Sequence, residues 1–152
     1  MDEIKKVIII SGYFNPLHVG HLDYIATAKS LGDELCVIVN TDEQVRLKGS
    51  VPFQNESDRL RIVRYLKPVD YAVLAVDEDK TVAKTLHHVV NAIRLDAEEN
   101  VKIIFANGGD RTRGNTPEEV FCNKAEVETV YGVGGRKVQS SSELLSKAGI
   151  KK

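Results

Sequence analysis

Five short apolar runs, recurring roughly every 30 residues, constrain the fold of this chain more than any other feature of its sequence. They are residues 5–10, 35–39, 71–76, 101–106 and 127–133. Runs this short, rich in Val and Ile and apolar on both faces, are typical of strands buried inside a parallel sheet. The segments between them show the periodicity of helices, and strands that alternate with helices form βαβ units. The sequence therefore predicts an α/β fold.

The predicted architecture is a single Rossmann-like domain with a five-stranded parallel sheet covered by helices on both faces. The helical patterns lie at residues 19–31 and 81–96, in a segment from Thr116, and in a last segment from Ser140. A further helix is expected between a cap at Ser57 or Asn55 and about Leu66. In the first helix, the predicted buried side chains are Leu22, Ile25, Ala26, Ala28 and Leu31. Residues 40–55 are expected to form a polar loop, and Asp77-Glu78-Asp79 a solvated acidic loop.

Composition narrows the function classes. The chain has 152 residues, a formal net charge of −1 and 42 % apolar residues, as expected for one globular domain spanning residues 1–152. There is no clustered basic excess for a nucleic-acid surface, and no apolar run approaches the roughly 20 residues of a membrane span. We therefore expect neither a nucleic-acid partner nor membrane association. The acidic N-terminus, with Cys36 and Cys122 in no paired motif, predicts reduced thiols and a cytoplasmic protein.

The candidate site begins in residues 11–21, a turn with Gly and Pro between the first strand and the first helix. His18 and His21 lie three residues apart at the mouth of that helix, so their side chains can face the same oxygen atoms. The first turn of a helix presents unpaired N–H groups, and Gly20 removes a side chain where a phosphate would approach the backbone. We interpret this stretch as a triphosphate-binding site. The alternative is two ordinary histidines, which is how we interpret His87-His88 inside a later helix.

Two further loops carry groups that can contact a nucleotide or its acceptor. Lys48 can pair with phosphates as a point charge, and Arg46 is a second candidate nearby; the alternative for both is a solvated loop cation. The glycines of Gly108-Gly109-Asp110 allow close approach of a base or ribose, and the aspartate can accept a hydrogen bond. A plain turn explains the same three residues. The absence of G-x-G-x-x-G after the first strand excludes a dinucleotide fingerprint.

A third candidate lies near the C-terminus, where Ser140-Ser141-Ser142 opens the last predicted helix beside Arg136 and Lys137. Hydroxyls and N–H groups at a helix start next to two cations make an anion site. The alternative is a simple capping box of Ser140 with Glu143. The sequence shows no cluster of metal ligands and no acid–base dyad.

Residues 12–21, Gly-Tyr-Phe-Asn-Pro-Leu-His-Val-Gly-His, resemble the signature G-x-F-[DN]-x-x-H-x-G-H of the cytidylyltransferase-like superfamily of nucleotidyltransferases. A Ser/Thr-rich helix start near the C-terminus is the second superfamily signature, and Ser140-Ser141-Ser142 is similar to it. Residues 40–49, 56–59, 69–70 and 108–110 are similar to the adenylyltransferase domain of bacterial heptose-phosphate enzymes. Within the same superfamily, glycerol-3-phosphate cytidylyltransferase is a close relative of that domain and has the same size.

The resemblance implies a reaction in which a substrate phosphate attacks the α-phosphorus of ATP or CTP and releases pyrophosphate, with Mg²⁺ held chiefly by the phosphates. It implies that His18, His21 and Lys48 stabilise the transition state, and that the protein is a homodimer. The residues implied to bind the nucleotide are Gly12, Tyr13, Phe14, Asn15, Gly20, Gly108, Gly109, Asp110, Arg136, Lys137, Ser140, Ser141 and Ser142. The residues predicted to bind the acceptor are Arg46, Arg111 and Arg113. The loop of residues 111–115 matches none of these subgroups, and a solvated loop explains it equally well.

Two departures from the relatives bear on the substrate. The heptose and glycerol-phosphate enzymes usually carry Asp where this chain has Asn15, and Phe14-Asn15-Pro16 resembles nicotinate-mononucleotide adenylyltransferases, which favours ATP. The stretch of residues 135–142 differs from the relatives, so either Arg136 or Lys137 takes the role of the family arginine. We therefore predict a nucleotidyltransferase acting on a phosphorylated sugar or polyol, with ATP favoured over CTP. The alternatives are a glycerol-3-phosphate-type cytidylyltransferase and a non-catalytic nucleotide-sensing protein.

Overall fold

The computed structural model describes residues 4–97, 100–108 and 116–134. The strands are β1 (Lys5–Gly12), β2 (Glu34–Val39), β3 (Tyr71–Leu74), β4 (Val101–Gly108) and β5 (Glu128–Val133). The helices are α1 (Val19–Ser30), α2 (Asp42–Leu47), α3 (Glu56–Arg64), α4 (Ala83–Asp96) and α5 (Pro117–Ala125). The helix predicted from Ser140 lies outside the described residues. None of the helices within the described ranges has the length and hydropathy of a membrane span.

The strands form one five-stranded sheet in the order β3-β2-β1-β4-β5, and every neighbouring pair is parallel. This confirms the predicted sheet. The chain adds β2 and β3 on one side of β1 and then crosses over to add β4 and β5 on the other side. The order therefore reverses between β1 and β4, and in sheets of this kind the crevice beyond the carboxyl ends of such strands is where ligands bind.

Helices cover both faces of the sheet, as predicted. Because successive side chains of a strand point to opposite faces, Ile8 and Ile10 of β1 pack in one core with Ile25 of α1 and Val63 of α3. Ile9 packs in the other core, with α4 and α5. All three isoleucines have no exposed area, so β1 is the central strand that its apolar sequence predicts.

The predicted loop over residues 40–55 is partly wrong, because it contains the helix α2. Thr41 caps this helix: its side chain accepts a hydrogen bond from the Gln44 N–H at 3.1 Å, while Gln44 Oε1 accepts from the Thr41 N–H at 3.0 Å. This reciprocal capping box is a sequence signal, Thr-x-x-Gln, that identifies a helix start. The helix is so short that apolar periodicity did not reveal it.

The prediction of a solvated loop is wrong for Asp77, which is only 9 % exposed. Its carboxylate accepts hydrogen bonds from the backbone N–H groups of Lys84, at 2.8 Å, and Thr85, at 3.0 Å, and from the Thr85 hydroxyl. The residue at the N-cap position of α4, Val82, has no side chain able to do this. Asp77 thus caps α4 from outside the helix and satisfies N–H groups that the helix cannot satisfy itself.

The predicted buried face of α1 is also too wide. Ile25 and Ala28 are buried, whereas Leu22 and Leu31 are 43 % and 37 % exposed, and Ala26 is exposed as well. The helix is anchored through Tyr24, whose hydroxyl donates to the Ala106 carbonyl of β4 at 2.6 Å. This contact turns the Tyr24–Ala28 side of the helix toward the sheet and leaves the flanking leucines at the surface.

Candidate active site

The turn that follows β1 is built on a buried aromatic ring. Phe14 adopts φ of +49°, a left-handed conformation that is uncommon for a bulky residue, and its ring is 1 % exposed. The ring lies edge-on to His21, with 5.0 Å between the ring centroids. A Cβ atom at residue 12 would come within 2.6 Å of the same ring, which explains the glycine there. Phe14 therefore supports the turn from inside the core.

The two histidines form a capping box at the start of α1. Nδ1 of His18 accepts a hydrogen bond from the Gly20 N–H at 3.1 Å, and Nδ1 of His21 accepts from the His18 N–H at 3.1 Å. The rings stack with centroids 3.8 Å apart and planes at 24°. Because each Nδ1 accepts, the proton of each neutral imidazole lies on Nε2. Two stacked rings thus carry Nε2–H donors at a helix N-terminus, a place that favours anions.

Lys48 lies near this turn although it is far along the chain. It ends α2 as the C-cap residue, and its ammonium nitrogen lies 4.1 Å from the centroid of the Tyr13 ring. The structure therefore brings together the predicted catalytic lysine and the turn that carries both histidines. The roles assigned to these residues from the resemblance stay predictions.

Gln44 fixes α2 to the sheet and has no exposed area. Its side-chain amide donates to the carbonyls of Asp79 and Thr81, each at 2.9 Å. Its oxygen accepts from the Asn40 side chain and the Thr41 N–H, each at 3.0 Å. These four hydrogen bonds join the end of β2, the helix α2 and the loop after β3. They therefore fix the position of the helix that ends at Lys48. The sequence did not identify Gln44 as part of the site; the Thr-x-x-Gln pattern was its only signal.

Arg59 is a second buried support that residue patterns did not single out, and it is 1 % exposed. Its guanidinium donates to the backbone carbonyls of Tyr13 (2.8 Å), Asn40 (2.7 Å) and Gln54 (3.0 Å). It also donates to Oδ1 of Asp42 at 2.8 Å. The fixed fork of an arginine suits this arrangement, because it presents several donors in one plane. The side chain joins the turn after β1 to the start of α2.

Asn15 is 3 % exposed and holds the segment that follows α2. Its side-chain amide donates to the Val51 carbonyl at 2.9 Å, and its oxygen accepts from the Phe53 N–H at 2.6 Å. Like Phe14, it lies behind the turn, where its polar atoms contact protein. The structure thus supplies a packing reason for these two residues, which the resemblance assigned to the nucleotide.

The other side of the crevice, at the end of β4, is shaped by Tyr24. A Cβ atom on Gly108 would come within 2.7 Å of the Tyr24 ring, so the glycine makes room for that side chain. Its predicted contact with a base stays a prediction. Arg46 is exposed and its guanidinium lies 3.6 Å from the Glu43 carboxylate, and its acceptor-binding role likewise stays a prediction.

Several predicted site residues lie outside the described ranges. They are Gly109, Asp110, Arg111, Arg113, Arg136, Lys137, Ser140, Ser141 and Ser142. Among the residues that the structure does describe, no group of three or more His, Cys, Asp or Glu side chains could hold a metal ion. A cavity of about 620 Å³ under α4 is lined by residues such as Lys5, Glu34 and Tyr71. These lie where β1, β2 and β3 begin, so this cavity is at the opposite end of the sheet from His18.

A parallel sheet whose strand order reverses beside a helix N-terminus is typical of α/β proteins that bind phosphate groups. The comparison with protein families specifies this class further. The cytidylyltransferase-like family model matches residues 9–143, and the chain belongs to this family. The resemblance identified from residues 12–21 is thereby confirmed.

Individual relatives agree with the family. The chain is 40 % identical over 85 residues to the FAD synthase of Thermoplasma acidophilum. The aligned segment covers 55 % of this chain and 60 % of that protein. It is 37 % identical over 147 residues to the bifunctional protein HldE of Citrifermentans bemidjiense. This alignment covers 94 % of this chain and 27 % of HldE. The chain therefore spans less than two thirds of both relatives.

A solved structure shows the same fold over most of its length. The lipopolysaccharide core biosynthesis protein of Thermoplasma volcanium superposes with a TM-score of 0.64 and 29 % sequence identity. The match covers 84 % of this chain and 95 % of that protein. The sheet and helices described above are thus shared by a relative of similar size.

Proposed function

We propose that this protein is a nucleotidyltransferase that transfers the adenylyl group of ATP to a phosphorylated sugar or polyol. An oxygen of the acceptor phosphate attacks the α-phosphorus, the bond from that phosphorus to the bridging oxygen breaks, and pyrophosphate leaves. Such a transfer needs positioning and stabilisation of charge more than covalent help from the protein.

The histidine pair of α1 is the observation that carries this proposal. With both Nδ1 atoms accepting backbone N–H groups, the rings are held before any ligand arrives, and their Nε2–H groups are the donors for phosphate oxygens. Preorganised donors directed at developing charge are usually the largest single contribution to catalysis. In this proposal His18 and His21 stabilise the charge that grows at the α-phosphoryl group, and Lys48 adds a positive point charge.

The donor set fits a nucleotide that arrives with its own Mg²⁺. Nε2–H groups and an ammonium donate to phosphate oxygens and do not coordinate a cation. A Mg²⁺ held by the phosphates, as it commonly is, would neutralise part of their charge when bound. The triphosphate and this metal are proposed ligands, and the homodimer and cytoplasmic location stay predictions.

Two arguments favour ATP over CTP. FAD, the product named for the Thermoplasma acidophilum relative, contains an adenylyl group. The Phe14-Asn15-Pro16 sequence also resembles adenylyltransferases. Both arguments concern relatives, so the test below includes CTP.

The test is release of pyrophosphate by the purified protein, with ATP or CTP and a panel of acceptors. The panel contains a heptose phosphate, glycerol 3-phosphate and flavin mononucleotide, the last because of the FAD synthase relative. We expect release with ATP and a sugar or polyol phosphate. Binding of ATP in a thermal-shift assay without release on any acceptor would favour the nucleotide-sensing alternative.

The role of the histidines is tested with a variant that keeps the helix cap. Asn is among the best N-cap residues, so His18→Asn preserves a cap while removing the imidazole. We expect turnover to fall by about 10²–10³, the scale of losing one preorganised donor, with little change in melting temperature. His88→Ala, at an exposed position of α4, is the matched control and should leave turnover unchanged. Wild-type turnover in His18→Asn would refute the proposed role.

A further inference from the structure

We propose that Tyr13 is a positioning residue, whose ring holds the ammonium group of Lys48 beside the phosphate-binding turn. This inference rests on the nucleotidyl transfer proposed above, in which Lys48 pairs with the reacting phosphates. The ammonium nitrogen lies 4.1 Å from the centroid of the Tyr13 ring. That distance is well inside the roughly 6 Å within which the face of an aromatic ring attracts a cation.

The ring of Tyr13 is attached to a firmly held backbone. The Tyr13 carbonyl accepts a hydrogen bond from Nη1 of Arg59 at 2.8 Å, and the carbonyl of the preceding Gly12 accepts from the Asn40 N–H at 3.0 Å. The following residue, Phe14, is 1 % exposed and packed in the core. The peptide units on both sides of Tyr13 are thus anchored, which fixes the point of the backbone from which the ring extends.

The backbone of Lys48 is held as well, and the residue carries its ammonium group at the end of a long side chain. Gln44 fixes α2 by four hydrogen bonds, and Gly49, with φ of +89°, turns the chain directly after the lysine. The lysine itself is exposed and has a long flexible stem. Such a side chain populates many rotamers in water, few of which place the ammonium at the turn. Attraction to the ring face favours those few.

A positioning role for Tyr13 and direct contact of Tyr13 with the nucleotide predict different results when Tyr13 and Lys48 are substituted together. If Tyr13 contacts the nucleotide directly, it acts independently of Lys48. Its substitution then lowers kcat whether or not the lysine is present. A Tyr13 that positions Lys48 matters only while Lys48 is present. The ring face supplies the attraction, so phenylalanine is expected to replace tyrosine.

A double-mutant cycle on kcat separates the two. We expect Tyr13→Leu to lower kcat roughly tenfold, and Tyr13→Phe to recover most of that loss. In a Lys48→Met background, Tyr13→Leu should have no further effect. An equal fall in both backgrounds would overturn the inference. Tyr65→Leu is the matched control, because that ring is 80 % exposed and lies near a different cation, Arg61, at 5.9 Å; it should leave kcat unchanged.

A second measurement does not depend on activity. Amine-labelling reagents attack only the neutral amine, and a ring face stabilises the ammonium form. In competitive labelling read by mass spectrometry, we expect Lys48 to react more slowly than the exposed Lys80 and Lys84, and several-fold faster in Tyr13→Leu than in wild type. If no acceptor supports transfer but this change is seen, the proposed function fails while the contact is supported. Unchanged labelling of Lys48 in Tyr13→Leu overturns the inference whatever the activity.

Discussion

At the scale of single residues, Asn15 shows how one atom decides the identity of a side chain. Its side chain meets one acceptor, the Val51 carbonyl, and one donor, the Phe53 N–H, both in the segment after α2, and these two groups need opposite partners. A carboxylate can accept from the Phe53 N–H but cannot donate to the Val51 carbonyl. Asparagine at this position therefore has a structural reason that does not depend on contact with a ligand.

Replacing Asn15 by Asp tests this explanation. We expect Asn15→Asp to lower the free energy of unfolding by about 1–3 kcal/mol, because a buried donor is lost and a carboxylate is placed against a carbonyl oxygen. The measurement is urea-induced unfolding at neutral pH.

The matched control is Asn55→Asp, at the N-cap of α3. The Asn55 side-chain oxygen accepts from the Asp58 N–H at 2.8 Å, and aspartate caps a helix as well as asparagine does. We expect this variant to unfold like wild type. Equal stability of Asn15→Asp and wild type would show that the donation to Val51 is dispensable.

At the scale of elements, the site depends on one arginine that joins several of them. Arg59, on α3, donates to Tyr13 in the turn before α1, to Asn40 after β2 and to Asp42 in the first turn of α2. The histidine turn and the lysine-bearing helix come from different βαβ units, and Arg59 bonds both of them. A buried guanidinium is stable there because its donors are engaged.

Removing that link is predicted to affect stability strongly. Arg59→Met keeps much of the side-chain volume but leaves three backbone carbonyls and the Asp42 carboxylate without this donor. We expect the free energy of unfolding to fall by about 3–5 kcal/mol, the cost of breaking a buried ion pair. Lysine should not rescue it, because a single ammonium cannot reproduce the planar fork.

The neighbouring Arg61 provides the control for Arg59→Met. It is exposed on the same helix, and Arg61→Met should change the free energy of unfolding by less than about 0.5 kcal/mol. Chemical denaturation of both variants is the measurement. A loss below 1 kcal/mol in Arg59→Met would contradict a central role for this residue.

At the scale of the whole molecule, both thiols lie in the core between the sheet and helices α4 and α5. Burial raises the pKa of the Cys36 thiol to about 12. Burial, together with the nearby carboxylates of Glu118 and Glu119, raises the pKa of Cys122 to about 12 as well. The ordinary value is 9.0 for each, so unfolding releases protons as the pH rises above it.

This difference predicts an alkaline loss of stability with a defined sign. The folded state holds both thiols neutral, so their contribution is complete below pH 9 and is lost progressively toward pH 12. Between pH 8 and pH 10, we expect the free energy of unfolding to fall by about 1 kcal/mol per thiol. A variant with both Cys36→Ala and Cys122→Ala should show a smaller fall over the same range. The free energy of unfolding of both proteins is measured by urea titration at each pH. An equal fall between pH 8 and pH 10 in the variant and in wild type would contradict this.

Much of the fold and part of the candidate site could be predicted from sequence because local patterns carried them. Apolar runs such as residues 35–39 can be satisfied only by burial on both faces, and the stretch from Gly12 to His21 contains its own strand end, turn and helix start. The failures have the opposite character. The helix α2 was too short to show periodicity, and Asp77 was judged by its charge although its partners, Lys84 and Thr85, lie in the next helix.

The sequence by itself determined the α/β class, the parallel sheet and the family, since each follows from residues close together in the chain. Only the tertiary structure decided which side chains hold the turn in place. Asn15 bonds residues 36 and 38 positions away, and Arg59 bonds a carbonyl 46 positions away. The Gln44 side chain likewise donates to two carbonyls of the loop after β3. A buried polar group must find its partner wherever the fold places one, and that distance along the chain is invisible to any local pattern.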